Sequence, residues 1–269
     1  VSNISLFSID NSIRLTANGY VSTFNKAHDW NINIKNFHVG ESFLNNLFNT
    51  AAALKLSLPN PILNIKKLDV YGKAWGKANK LYAKAALRTN FGEIRTDIHK
   101  DYNNLLANLD TEGLNIGELL SNKNLGKLSL KVKAKGTIQD NRITSVHAVG
   151  KIPSVDYKKY SYKNTNFDVA YNGNSAKGKI SISDPNIDAE LTGALNNITG
   201  NLKTDITAIV NRLYPQRLNI SDKWGNAKFS TQCHIHTTGK DLKNIIAELS
   251  MKNFSFKSTK EEYSITSLD

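Results

Sequence analysis

Residues 127–135 read Lys-Leu-Ser-Leu-Lys-Val-Lys-Ala-Lys, with an apolar side chain at every second position. Only a strand uses that period, because successive side chains on a strand point to opposite faces. Leu128, Leu130, Val132 and Ala134 then form a dry face, and Lys127, Lys131, Lys133 and Lys135 stand in water. The pattern recurs along most of the chain. Leu68, Val70, Gly72 and Ala74 alternate with Asp69, Tyr71, Lys73 and Trp75, and Ala176, Gly178, Ile180 and Ile182 alternate with lysines and serines. Ile187, Ala189 and Leu191 alternate with Asp188, Glu190 and Thr192; Ala227, Phe229, Thr231, Cys233 and Ile235 alternate with polar residues through His236. Strands dry on one side and wet on the other predict antiparallel sheet.

Turn signals punctuate the pattern at Asn18-Gly19, Asn172-Gly173-Asn174, Asp184-Pro185-Asn186, Asn196-Asn197 and Thr238-Gly239-Lys240, which predicts hairpin connections. Three segments depart from period two. In residues 41–54, Phe43, Leu44, Leu47, Phe48 and Ala51 fall at helical spacing, and Pro59 and Pro61 are expected to end any helix. A shorter helical segment is expected after Leu114, and a third over residues 209–214, stopped by Pro215. Asn36-Phe37-His38-Val39-Gly40-Glu41 resembles Gly113-Leu114-Asn115-Ile116-Gly117-Glu118, each entering a leucine-rich helical turn, as in an array that grows by adding similar units. About 14 to 18 strands at roughly 4.8 Å spacing would make a sheet about 70 Å across. Its apolar face must be hidden by a second sheet, by helices or by a ligand. About 30 helical residues are too few to roof it, which leaves a sandwich or a sheet curled around something.

The 269 residues, 40% of them hydrophobic, suffice for a folded core, and no run approaches a membrane-spanning helix. The chain starts without an initiator methionine or signal-peptide pattern and ends on a strand-like run, Tyr263-Ser264-Ile265-Thr266, so a piece of a longer protein is expected. The single cysteine, Cys233, excludes an internal disulfide and a cysteine-built zinc site, and its place on an apolar face suggests packing. The net charge of +12 comes from lysines spread singly along many strands rather than from a concentrated patch with stacking aromatics, so nucleic acid is not expected as a partner.

Sharper chemistry finds little to stand on. His234 and His236 share a face, as a two-ligand metal site with His147 or a carboxylate would require, but solvated strand histidines are the simpler explanation. Asp188 and Glu190 also share a face at about 7 Å, a spacing that suits an inverting glycosidase, yet exposed acids between apolar residues look the same. Ser181 and Ser183 lack a nucleophile-elbow context and a histidine partner. Tyr157, Tyr160, Tyr162, Phe167 and Tyr171 fit cross-strand packing better than a sugar platform, and Trp30, Trp75 and Trp224 are scattered. No enzymatic activity, cofactor or metal is expected.

The stretch Leu87-Arg88-Thr89-Asn90-Phe91-Gly92-Glu93-Ile94-Arg95-Thr96-Asp97-Ile98, then Leu114-Asn115-Ile116-Gly117-Glu118-Leu119-Leu120, then Leu125-Gly126-Lys127-Leu128-Ser129-Leu130, resembles the TamB branch of the AsmA-like family, with the pieces in the same order. Ala189-Glu190-Leu191-Thr192-Gly193, and Thr238-Gly239-Lys240-Asp241-Leu242-Lys243-Asn244 leading to Asn253-Phe254-Ser255-Phe256, look like the same family's strand, loop and strand units. The likeness covers roughly residues 30–265 and includes no invariant catalytic signature. It implies a periplasmic protein of the Gram-negative envelope, tethered to the inner membrane by an N-terminal helix absent from this chain. It also implies a partner, an outer-membrane barrel of the BamA-like class, met through a region not in this chain. The family's sheet curls into a trough, a β-taco, with a hydrophobic inner face. Its members are implicated in moving phospholipid between membranes and some in assembling outer-membrane proteins; the family's C-terminal conserved domain has no counterpart here.

The expectation is therefore an all-β protein, an elongated and strongly curled antiparallel sheet (β-taco or β-groove) with a few short helices. Residues 1–269 are read as one continuous, repeat-built segment of a larger protein, with a sub-boundary near 111–125. Phospholipid acyl chains would lie on a groove lined by Leu128, Leu130, Val132, Ala134, Phe167, Val169, Ile180, Ile182, Ile187, Leu191, Phe229 and Ile235. Each CH₂ left in water costs roughly 0.8 kcal/mol, so a greasy floor with a polar rim lets lipid slide with its tails covered. The chain has no Walker-type motif to drive the slide. The alternative is a scaffold that captures unfolded outer-membrane proteins at a sheet edge. A third reading is a closed sandwich that binds glycans on its polar face.

Overall fold

The structure, a computed structural model, describes residues 2–22, 29–54, 56, 59–140, 142–239 and 245–268. Sixteen strands follow one another in chain order through a single antiparallel sheet that is not closed into a barrel, accompanied by three short helices. The protein is all-β. One sheet is present among the described residues. No helix among them is long and apolar enough to cross a membrane. The chain packs as two compact units, Val1–Lys133 and Ala134–Asp269.

The first unit holds β1 (Ser2–Phe7), β2 (Ile13–Ser22), β3 (Asp29–Val39), β4 (Leu68–Lys77), β5 (Lys80–Thr89), β6 (Gly92–Asp101) and β7 (Asn104–Asn115). β8 (Leu125–Gln139) carries the chain onward into the second unit. Antiparallel pairing puts directly opposed residues on one face, so register turns alternation along each strand into rows across strands. One such row reads Leu6, Leu15, Phe37, Val70, Leu87, Ile94, and the next reads Ile4, Ala17, Ile34, Gly72, Ala85. Bulges between Thr16 and Ala17 and between Ile34 and Phe37 absorb an extra residue in β3 without breaking these rows.

Asn18-Gly19, expected as a turn, lies inside β2. A Cβ on Gly19 would fall 2.2 Å from the carbonyl oxygen of Asn31, so the glycine serves a close strand approach and not a reversal. Helix α1 (Glu41–Ala53) occupies the segment whose apolar spacing predicted it. Its buried side chains are Leu44 and Ala51, two turns apart, while Leu47 is half exposed. Pro61 does not end helical structure as expected; it sits in the first turn of α2 (Asn60–Leu63), where a missing N–H costs nothing. The expected short helix after Leu114 is α3 (Ile116–Leu119), started by the Asn115 side chain accepting from the Glu118 N–H at 3.2 Å.

The second unit holds β9 (Arg142–Tyr157), β10 (Tyr160–Tyr171), β11 (Ser175–Asp184), β12 (Ile187–Asn196), β13 (Leu202–Leu213), β14 (Lys228–Gly239), β15 (Ile245–Lys257) and β16 (Glu262–Leu268). The turns at Asn172-Gly173-Asn174, Asp184-Pro185-Asn186 and Asn197 fall where the sequence signals them. The Asn172 carboxamide oxygen accepts from Ser175 N–H at 2.9 Å, and Gly173 and Asn197 adopt positive φ. Thr238 and Gly239 of the expected turn end β14, and Lys240 with the family-like stretch through Asn244 lies outside the described residues. Residues 209–213, expected as helix, belong to β13. Their β-branched Ile209 and Val210 are paired on both sides, to Glu190 and Ala189 of β12 and to Gln232 and Thr231 of β14, and that pairing overrides a local helical spacing.

Among the described residues the buried aliphatic and aromatic side chains are few: Ala17, Val39, Leu44, Ala51 and Phe91 with Leu114 in the first unit, and Leu218 with Ala227 in the second. All but Ala17 lie at strand ends or in the segments that cover them. In the first unit the cover is α1, with α3 and the Phe91 turn joined by the Asn115 N–H to Phe91 carbonyl bond at 2.8 Å. In the second it is the run of turns over residues 214–227.

Candidate functional site

Along β8 the alternation is as the sequence predicts. Leu128, Leu130, Val132 and Ala134 are half buried, and Lys127, Lys131, Lys133 and Lys135 are exposed. In the second unit the register gathers the remaining eight expected lining residues into four adjoining rows on one face. Phe167, Ile180 and Leu191 are directly opposed and continue through Ala208, Cys233 and Met251. Val169 and Ile235 share a second row with Gly178, Gly193 and Ile206. Ile182 lies in a third with Ala189 and Val210, and Ile187 and Phe229 lie in a fourth with Leu213 and Phe256.

The floor is uncovered. Ile180 and Leu191 are 41% and 42% exposed although they face each other on interior strands, where a closed core would hold such side chains below a tenth. The glycines do not leave it rough: a Cβ on Gly178 would meet Val169 Cγ1 at 2.7 Å and one on Gly193 would meet Ile206 Cγ1 at 3.1 Å, so neighbouring side chains lean over the bare backbone. Sequence reading missed the contributions of β13 and β15, including Ile206, Ala208, Phe254 and Phe256, and the first unit's rows apart from the alternation of Leu68, Val70, Gly72 and Ala74 in β4. Alternation at Ile206, Ala208 and Val210 was the available signal. In β15 a bulge with Asn253 at φ 53° hides the signal by shifting parity between Met251 and Phe254.

The opposite face is charged. Lys179 pairs with Glu190 at 2.7 Å, His147 with Asp168 at 2.7 Å, and Asp205 lies 3.8 Å and 3.7 Å from His234 and His236. The Thr207 hydroxyl lies 3.1 Å from His234 Nδ1. Among the described residues no three His, Cys, Asp or Glu side chains converge to hold a metal. Asp188 accepts from Asn211 at 2.9 Å while Glu190 is engaged by Lys179, so the two acids serve separate pairs.

The tyrosines expected as packing split by place. Tyr171 donates to the Gly173 carbonyl at 2.9 Å within its own turn. Tyr160 and Tyr162 meet edge to face at 4.9 Å and join the closed end: Tyr160 donates to Asp184, and Tyr162 to the Leu218 carbonyl at 3.3 Å. Asp184, 1% exposed, also accepts from the backbone N–H groups of Lys163 at 3.0 Å and Asn186 at 2.8 Å. Burial pushes both phenols above the usual tyrosine range, helped at Tyr160 by its bond to Asp184 and at Tyr162 by Tyr157 and then Asp184. Of the tryptophans, Trp30 fills the space over Gly76, Trp75 stacks on Tyr82 at 5.9 Å on the other face, and Trp224 packs against Phe229 at 5.3 Å.

No protein-family model, curated protein or solved structure matches this chain.

Proposed function

We propose that this chain is a non-enzymatic lipid carrier, a periplasmic segment that holds phospholipid acyl chains against its apolar floor and passes them along it between the inner and outer membrane. One observation carries the reading: Ile180 and Leu191, opposed on interior strands, are about two-fifths exposed, with no second layer over them among the described residues. Fully burying side chains of this size contributes roughly 1.5–3 kcal/mol each, so rows of them in water represent a large unmet gain that acyl chains can supply. Headgroups would stay at the polar rim, and the rows set no stereochemical demand, so many lipids fit equally. The test is native mass spectrometry after gentle purification, with photo-crosslinkers at Ile180 and Leu191. Phospholipid should co-purify or load and crosslink there. If none loads and none crosslinks, the carrier reading fails.

A second reading is favoured by the sheet's edges. Every residue of β1 and of β16 is exposed; β1 has no charge and no proline, and β16 has one charged residue, Glu262. Edges without such blocking devices accept added strands. On that reading the chain scaffolds outer-membrane proteins, and an unfolded barrel peptide should crosslink to β1 or β16 and not to the floor.

A further inference from the structure

The closed end of the second unit bears a surface that its plugging role does not require. The run of turns over 214–227 is pinned from below by the Tyr162 bond to the Leu218 carbonyl and from the side by Asn219, whose Nδ2 donates to the Lys158 carbonyl at 2.9 Å. That second bond brings the turn between β9 and β10, with Lys158 and Lys159, against the same rim. On the outside of this assembly Ile220 is 49% exposed and Trp224 48% exposed. Residues 157–160, 214–228 and 257–263 together hold seven Lys or Arg against three Asp or Glu. Trp224 also begins a series of rings. Its indole meets Phe229 at 5.3 Å, Phe229 meets Phe256 at 5.1 Å, and Phe256 meets Tyr263 at 5.8 Å. Phe229 and Phe256 are opposed in the floor row next to the cap, so the rings lead from an exposed rim to the apolar face.

An exposed tryptophan beside an exposed aliphatic, ringed by lysine and arginine, is the chemistry of the bilayer interface: the indole favours the headgroup level, and the cations favour anionic lipid. We propose that this rim docks the second unit onto an anionic bilayer surface, with Trp224 and Ile220 entering the interface and Lys158, Lys159, Arg217 and Lys223 facing lipid phosphates. The ring series then hands acyl chains to the floor. The hand-over rests on the carrier reading, whereas the docking does not.

Flotation with phosphatidylcholine vesicles, and with vesicles also containing phosphatidylglycerol, tests the docking at low ionic strength. The protein should bind the anionic vesicles at least roughly tenfold more tightly, with a blue shift of tryptophan emission that Trp224→Phe abolishes. Lys223→Glu combined with Trp224→Ala should weaken binding by roughly tenfold or more, whereas Lys177→Glu, on the charged face of β11, should change it by less than about twofold. Circular dichroism confirms that each variant is folded. Binding that responds equally to Lys177→Glu, an emission shift that survives Trp224→Phe, or no preference for anionic vesicles overturns the proposal. Loading from detergent micelles, read by native mass spectrometry, separates the two ideas. Vesicle binding without loading leaves docking standing and removes the carrier, and loading without vesicle binding does the reverse.

Discussion

Leu218 and Leu191 belong to the same unit and carry the same side chain, yet one is fully buried and the other is 42% exposed. Leu218 sits under the turns of the closed end, with its carbonyl held by Tyr162 and with Asp184, Tyr160 and Asn186 bonded to one another nearby. Leu191 sits in the middle of a strand, paired on both sides by backbone, with Ile180 and Ala208 beside it and no layer above it among the described residues. The backbone is hydrogen-bonded in both places, at Leu218 by its N–H to the Tyr214 carbonyl and by Tyr162 to its own carbonyl. What differs is the third dimension of packing, present at the strand ends and missing over the floor. The sheet is therefore held by its ladders and its closed end, and its apolar face stays open at Ile180 and Leu191.

The largest expected effect tests the packed side of that contrast. Leu218→Ala removes a fully enclosed side chain and should destabilise the second unit by about 2–5 kcal/mol, the range for buried leucine deletions. The same deletion at Leu191 should cost less than about 1 kcal/mol, since part of its surface was never removed from water. Urea titrations followed by far-UV circular dichroism give both values. Equal losses would mean that the floor is packed as tightly as the closed end and that the contrast is false.

A smaller effect comes from pH. Tyr160 and Tyr162 have folded-state values raised above the ordinary phenol value of 10.0. The folded state thus holds its phenolic protons longer than the unfolded chain does. Their contribution to stability is complete below about pH 10 and is lost as pH climbs through the raised values. In an alkaline titration these two should ionise only above the ordinary phenol value of 10.0, together with loss of near-UV signal from the closed end. Far-UV signal from the strands should persist further. Ionisation of both phenols at the ordinary value would show the closed end to be open to water.

This division also explains what could be read in the chain beforehand. Parity on β8, the antiparallel class and α1 were legible because each depends on residues near in sequence: two-residue alternation, or Leu44 and Ala51 two turns apart. Asn18-Gly19 misled because its glycine answers to the backbone of β3, and 209–213 misled because its partners lie on β12 and β14. The closed end was not legible at all. It depends on Asp184 meeting Tyr160 and on Tyr162 meeting a carbonyl 56 residues away, neither of which leaves a periodic trace. Parity alone names the residues of a dry face; whether that face is roofed depends on what the rest of the chain brings to it.

The smallest expected effect on the fold carries the largest expected effect on lipid. Leu191→Glu places a carboxylate on the floor. Under a closed core it would be buried without a partner, at a cost of several kcal/mol, enough to unfold most of a marginally stable domain. Over an open floor the carboxylate reaches water, and stability should fall by no more than about 1 kcal/mol. Lipid loading should nevertheless drop, because the charge stands in the row where Phe167, Ile180 and Ala208 would line the acyl chain. Thr192→Glu, one residue along and on the exposed charged face, carries the same charge and should leave both stability and loading near the parent's. A Leu191→Glu protein that is unfolded while Thr192→Glu is folded would show the face to be sealed. If instead Thr192→Glu is the variant that loses lipid, the register of β12 is displaced by one residue, since a one-residue slip exchanges every inward and outward position.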